Sequence, residues 1–111
     1  MAVKTPGKVT FLELDQIQTI EAAGKYAVVH VGCSPHGPPV NHVLRETMSW
    51  LESHLPPQRF LRISRSVIVN MDQIQELQPT FKGENLVVLK NGKSYPTTRP
   101  IREIQQRLEF P

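Results

Sequence analysis

The sequence predicts a mainly β fold, a compact stack of small antiparallel sheets with one or two short helices. Three observations predict it. Short runs of β-branched and aromatic residues, separated by polar breaks, recur along the 111 residues. An Asn-Gly pair, Asn91-Gly92, stands between two such runs. Only two stretches carry helical spacing. The length suits one domain with one modest core, and no repeat, linker or low-complexity segment divides residues 1–111.

Taken in order, "VTFLEL" (Val9–Leu14), "IQTIEA" (Ile17–Ala22) and "YAVVHV" (Tyr26–Val31) read as strands, with Gly24 in a tight turn between the second and third. "GCSPHGPP", Gly32 to Pro39, reads as a loop. Leu44, Met48, Leu51 and Leu55 recur at steps of four, three and four, which predicts a helix ended by Pro56 and Pro57. Trp50, beside that stripe, is expected in the core. "FLRI" and "VIVN" follow as strands, then a turn at "MDQ", then "IQELQP". "NLVVLK" and "KSYPTT" form a hairpin whose Asn-Gly centre favours a type I′ turn. Pro100 suits the first position of a last helix with Ile101, Ile104 and Leu108 on its apolar side.

The stretch "FLRISRSVIVN" cannot be one uninterrupted strand at low cost. Alternation would place Arg65 on the same face as Leu61, Ile63, Val67 and Val69. An unpaired buried guanidinium costs several kcal/mol. Arg65 therefore has either a hidden partner or a break in the strand that turns it outward.

Composition narrows the function classes. Apolar residues make up 39% and charged residues 21%, as in an ordinary globular protein. No apolar run approaches the ~20 residues of a membrane helix, and "MAVKTPGKVT" lacks the apolar stretch of a secretory signal. A single cysteine, Cys33, fits a reducing compartment, so a cytoplasmic location is expected. None of the four histidines pairs with an acid or nucleophile in a recognisable motif, and no glycine-rich phosphate loop is present. Cys33, His36 and His42 fall short of the four ligands of a structural zinc site. No cofactor, no metal and no catalytic activity are expected.

The net charge of +3 is uneven: between Arg59 and Arg107 nine Lys/Arg stand against four Asp/Glu, and elsewhere four stand against six. This asymmetry points to an anionic partner, nucleic acid first, or else to a solvated basic surface. "SRS" (Ser64–Ser66) and "TTR" (Thr97–Arg99) each set an arginine beside small hydroxyls at a strand end. Arginine matches guanine O6/N7 or phosphate with a planar fork, and hydroxyls bond phosphate oxygens. Arg102 follows Arg99 by three residues, at a helix start that also favours an anion. Both arginines could instead serve structural salt bridges with Glu103 or Asp72.

"FLRISRSVIVNMDQIQEL", the Asn-Gly hairpin and "SYPTTRPIREI" together resemble the LytTR DNA-binding domain family. That family's hallmark is F-x-R-x-H-R-S-x-x-V-N, followed by a glycine-turn hairpin and a Ser/Thr-Arg pair. The matching residues are Phe60, Arg62, Arg65, Ser66, Val69, Asn70, Asn91, Gly92, Thr98 and Arg99. "FLELDQIQTIEAAGKYAVVHV" looks like the family's opening strands, so the resemblance runs from about residue 9 to 110, with 1–8 as an N-terminal extension.

The resemblance implies a bacterial transcription regulator's output domain that reads successive major grooves of double-stranded DNA with loops. Carried over, Arg65, Arg99 and Ser64 would contact bases. Lys25, Tyr26, Ala27, Ser66, Lys93, Thr98 and Arg102 would contact phosphates or support the readers. Ser64 replaces the family's usual histidine. Ala27 stands where some members place a base-contacting side chain; alanine can touch a thymine methyl but donates nothing. Tandem direct repeats, pairing of copies on DNA and a separate receiver or sensor domain are the implied partners; this chain would be an excised output domain or a small stand-alone regulator. The other class weighed is a β-rich module for a protein or small-ligand partner. It predicts weak salt dependence with DNA and an exposed apolar patch, for which Tyr26, Phe81 and Tyr95 are the candidates.

Overall fold

The computed structural model describes residues 1–5, 7–32, 39–80 and 83–108. The strands begin with β1 (Ala2–Thr5), β2 (Lys8–Phe11), β3 (Ile17–Ala23), β4 (Tyr26–Val31) and β5 (Val40–Leu44). Helix α1 (Met48–His54) precedes β6 (Phe60–Ser64), β7 (Val67–Asn70) and β8 (Ile74–Pro79). The last elements are β9 (Asn85–Leu89), β10 (Ser94–Thr97) and helix α2 (Ile101–Leu108). Single 3-10 turns at Leu14–Gln16 and Met71–Gln73 lead into β3 and β8.

A five-stranded antiparallel sheet, ordered β5-β4-β3-β7-β6, is the frame. Because its strands are covered on opposite faces by different partners, it divides two cores. Ile20, Ala27, Val29, Leu44 and Ile68 point to one side, where Met48 and Leu51 of α1 and then Leu55 close over them. Leu61, Ile63 and Val69 point to the other, against Val87 and Leu89 of the three-stranded sheet β10-β9-β8 and Ile104 of α2. Burying each such aliphatic side chain stabilises by about 1.5–3 kcal/mol. β1 and β2 form a separate two-stranded hairpin.

Several expectations need correction. The Val9–Leu14 run ends as a strand at Phe11, and Leu14 opens a 3-10 turn instead. Leu44 is buried as expected but ends β5; the helix starts only after Thr47, whose hydroxyl oxygen accepts from the Trp50 backbone N–H at 3.0 Å. Leu44 and the helix share one core, so the helical spacing continues into a strand without a helix there. Trp50 is not core: it is 39% exposed and stacks on His54 with ring centroids 3.9 Å apart, because the neighbouring position, Leu51, takes the inward direction. β1 and β5 carry no clear alternation and become strands only by pairing.

Turn chemistry explains two further details. Ala23 and Tyr26 pair across Gly24-Lys25, and only Gly24 takes positive φ (62°), the pattern of a type II′ turn. The Asn91-Gly92 turn is not type I′. Gly92 has φ of 89° but Asn91 is not positive, and the Leu89 carbonyl accepts from the Gly92 N–H at 2.9 Å. Leu89 N–H donates to the Lys93 carbonyl at 2.8 Å, closing a three-residue loop of the turn-plus-αL kind. Pro100 lies one position ahead of α2, its carbonyl accepting from Ile104 at 3.3 Å. Most of the Gly32–Pro39 loop, with Cys33 and His36, lies outside the described residues, as does Phe81.

Candidate nucleic-acid interface

The strand does break at Arg65. β6 and β7 are an antiparallel hairpin, Ser64 pairing Val67 across Arg65-Ser66, with a register shift between Arg62 and Ser64. Leu61 and Ile63, two residues apart, share the face toward the second core, and the bulge and turn after them carry Arg65 off that face. Arg65 is exposed, and its side chain has no hydrogen bond or ion pair among the described residues. The Ser64 hydroxyl accepts from the Ser66 backbone N–H at 3.3 Å, which tightens the turn.

The two arginine segments, more than thirty residues apart in the chain, meet. Ile63, Ser64 and Arg65 line one open cleft of about 500 Å³ with Thr98, Arg99, Arg62 and Glu52. Two bonds hold the sides together: the buried Thr97 hydroxyl donates to the Ile63 carbonyl at 2.7 Å, and Arg99 Nε donates to the Arg62 carbonyl at 2.6 Å. Arg99 also pairs with Glu103 through Nη1, as the structural alternative anticipated; Asp72 is not its partner. Arg99 is thus half-buried and partly committed, whereas Arg65 is uncommitted. Arg62 has donors on all three guanidinium nitrogens engaged, to the Ser64 and Arg65 carbonyls, Ser49 and Glu52.

The first loop lies beside this cleft. Ala22 N–H donates to the Ser66 carbonyl at 2.8 Å, so the Gly24-Lys25 turn, at the same end of β3, adjoins the Arg65 turn. Lys25 and Tyr26 are exposed there. Ala27 must be removed from the contact set: at 0% exposure it faces the first core from β4 and reaches no ligand. Ser66, Thr98 and Arg102 are exposed. Lys93 is exposed too, but its hairpin is held at the far end of β3, where Asn91 Nδ2 donates to Gln18 Oε1 at 2.9 Å. The structure does not bring Lys93 to the cleft.

Other matched residues prove to be framework. Asn70 is buried; its Nδ2 donates to the Ile17 carbonyl at 2.9 Å and its Oδ1 accepts from the Asp72 N–H at 3.0 Å. Tyr95, considered as a surface aromatic, is half-buried. Burial and its hydrogen bond to Glu21 push its phenol up to about 12. Burial raises the Glu21 carboxyl, but hydrogen bonds from Tyr95 and His30 and the charges of His30 and Lys93 outweigh it and hold the group below its usual range. Exposed apolar residues that the sequence did not single out are Phe11, at 79%, with Val9, Val40 and Val43. Among the described residues no group of three or more His, Cys, Asp or Glu could hold a metal, and no helix is long and apolar enough to cross a membrane.

Comparison with known proteins agrees with this fold. The family model described as the LytTr DNA-binding domain matches residues 7–109. The sensory transduction protein LytT of Enterococcus faecalis is 36% identical over 63 residues, covering 56% of this chain and 26% of that protein. The sensory transduction protein LytR of Streptococcus agalactiae is 29% identical over 68 residues, 60% of this chain and 28% of that protein. The chain thus spans about a quarter of the length of these relatives. A solved LytTr DNA-binding domain from Bacillus cereus superposes with a TM-score of 0.77 at 22% identity, covering 99% of this chain and 96% of that one.

Proposed function

The chain belongs to the LytTr DNA-binding domain family, and from that membership we propose that it is the output domain of a transcription regulator, reading duplex DNA by sequence with loop residues. One observation carries the reading: Arg65, whose side chain has no hydrogen bond or ion pair among the described residues, stands at the rim of a cleft shared with Ser64, Thr98 and Arg99. Arg65 and Arg99 act as base readers, Ser64 assisting. A bidentate arginine on guanine O6/N7 supplies the discrimination. Lys25, Tyr26, Ser66, Thr98 and Arg102 hold the flanking phosphates and set the register.

Because Arg65 and Arg99 line one cleft, they suit a single major groove. A second groove, about 34 Å away along the duplex, would fall to another part of the surface or to a second copy. Pairing on tandem repeats and a partner receiver or sensor domain in the cytoplasm complete the proposal.

Selection from a randomised duplex library, followed by fluorescence anisotropy over a range of salt, tests it. Wild type, Arg65→Ala and Arg99→Ala are compared. An enriched motif whose discrimination falls in both variants supports base reading. No enrichment, with weak binding that salt abolishes, overturns it and leaves only a basic surface. The exposed Phe11 and Val9 favour the protein-partner reading in that case.

A further inference from the structure

We propose that Arg62 is a positioning residue that sets the aim of Arg65 and does not itself touch DNA; this rests on the base-reading role of Arg65. Every nitrogen of the Arg62 guanidinium is engaged inside the protein. Nε donates to the Ser64 carbonyl at 3.2 Å and Nη2 to the Arg65 carbonyl at 2.7 Å. Nη1 faces Ser49 Oγ at 3.4 Å and Glu52 Oε1 at 3.3 Å, both on α1. The Arg62 carbonyl in turn accepts from Arg99 Nε at 2.6 Å.

The arrangement has a specific mechanical meaning. Neither Arg65 nor Ser66 takes positive φ, so the turn is not one of the primed types whose twist matches a hairpin. The bulge at its base leaves it without a regular ladder on the β6 side. Its Ser64 and Arg65 carbonyls are capped by one planar fork, which fixes their separation and direction as a flexible ammonium could not. The fork is anchored on a helix through Glu52, and the adjoining peptide is bonded to the second reading arginine. Arg62 therefore connects α1, the Arg65 turn and the β10–α2 link through a single residue.

Arg62→Lys separates this role from a phosphate contact, because the charge stays while the fork is lost. Backbone 15N relaxation and amide exchange of the DNA-free domain give the first readout. Faster motion and exchange at residues 64–66, with the rest of the spectrum unchanged, are expected. Anisotropy with the selected duplex gives the second. Discrimination at the base pair read by Arg65 should fall about tenfold, with an unchanged salt slope. Arg62→Lys combined with Arg65→Ala should lose no more at that pair than Arg65→Ala alone. Glu52→Gln, on the exposed side of the brace, should give a smaller loss in the same direction without risk to the cores.

An Arg62→Lys turn as rigid as wild type overturns the brace. Uniform weakening across all sequences with a shallower salt slope in Arg62→Ala makes Arg62 a phosphate contact instead. A wild-type domain with no sequence preference removes the base-reading premise, and the relaxation result then still distinguishes that failure from failure of the brace.

Discussion

At the residue scale, the arginines around the cleft differ by what each is already bonded to. The Arg65 side chain makes no hydrogen bond or ion pair among the described residues, so its removal breaks none of those bonds. Arg65→Ala is expected to leave urea stability within about 0.5 kcal/mol of wild type while costing about 1–3 kcal/mol of discrimination at one base pair. Arg99 donates to the Arg62 carbonyl and pairs with Glu103. Arg99→Ala should therefore lower unfolding free energy by about 1–2 kcal/mol in addition to any effect on DNA. Equal stability of the two variants would mean that the Arg99 contacts contribute nothing. The sequence exposed Arg65 because an arginine at an inward strand position is an energetic contradiction, and only a break resolves it. It could not show that Arg62, on the opposite alternation, was fully engaged, since its partners are carbonyls created by that break and a carboxylate on a helix. Ala27 failed for the converse reason: it lies one residue beyond exposed Tyr26, and a one-step change along a strand exchanges surface for core.

At the element scale, β3, β4, β6 and β7 were legible from their density of β-branched and aliphatic residues; β4 alternates, whereas β6 and β7 place neighbouring residues in the two cores. β1 and β5 were not legible; their residues pair without marking a buried face. The join between the sheets was equally hidden. It passes through Thr97, whose hydroxyl reaches the Ile63 carbonyl at the β6 bulge, where no sequence signal tells a capping threonine from a strand threonine. Thr97→Val keeps shape and β preference but leaves that buried carbonyl without its donor. The expected cost is about 1–2 kcal/mol, read as a lower urea midpoint with an unchanged m-value. Because the same bond aligns the Thr98-Arg99 segment with Ser64-Arg65, the variant should also weaken discrimination at the bases those arginines are proposed to read. Full stability with full discrimination would show that side-chain packing alone joins the sheets.

At the scale of the whole molecule, the basic half of the sequence does not become a uniform basic surface. Arg59 pairs with Asp15 and Arg107 with the Pro57 carbonyl, so part of the charge closes the fold. Arg65, Lys90 and Arg102, with Lys25 and Arg45 of the other half, are exposed and have no side-chain ion pair among the described residues, and these are what a polyanion can meet. The half-buried polar contact between sheets follows the opposite logic. Tyr95 of β10 keeps its proton to about 12, against 10.0 for a free phenol, through burial and the Glu21 carboxylate on β3. The unfolded chain releases that proton first. The folded-state advantage is therefore intact below pH 10 and declines as pH rises from 10 to about 12. Tyr95→Phe removes the titration and the hydrogen bond together. The stability difference between wild type and Tyr95→Phe, from urea melts at stepped pH, should be constant up to pH 10 and shrink through that window. A difference that stays flat to pH 12 would mean that Tyr95 ionises alike in both states, and that the Glu21 contact does not couple the two sheets.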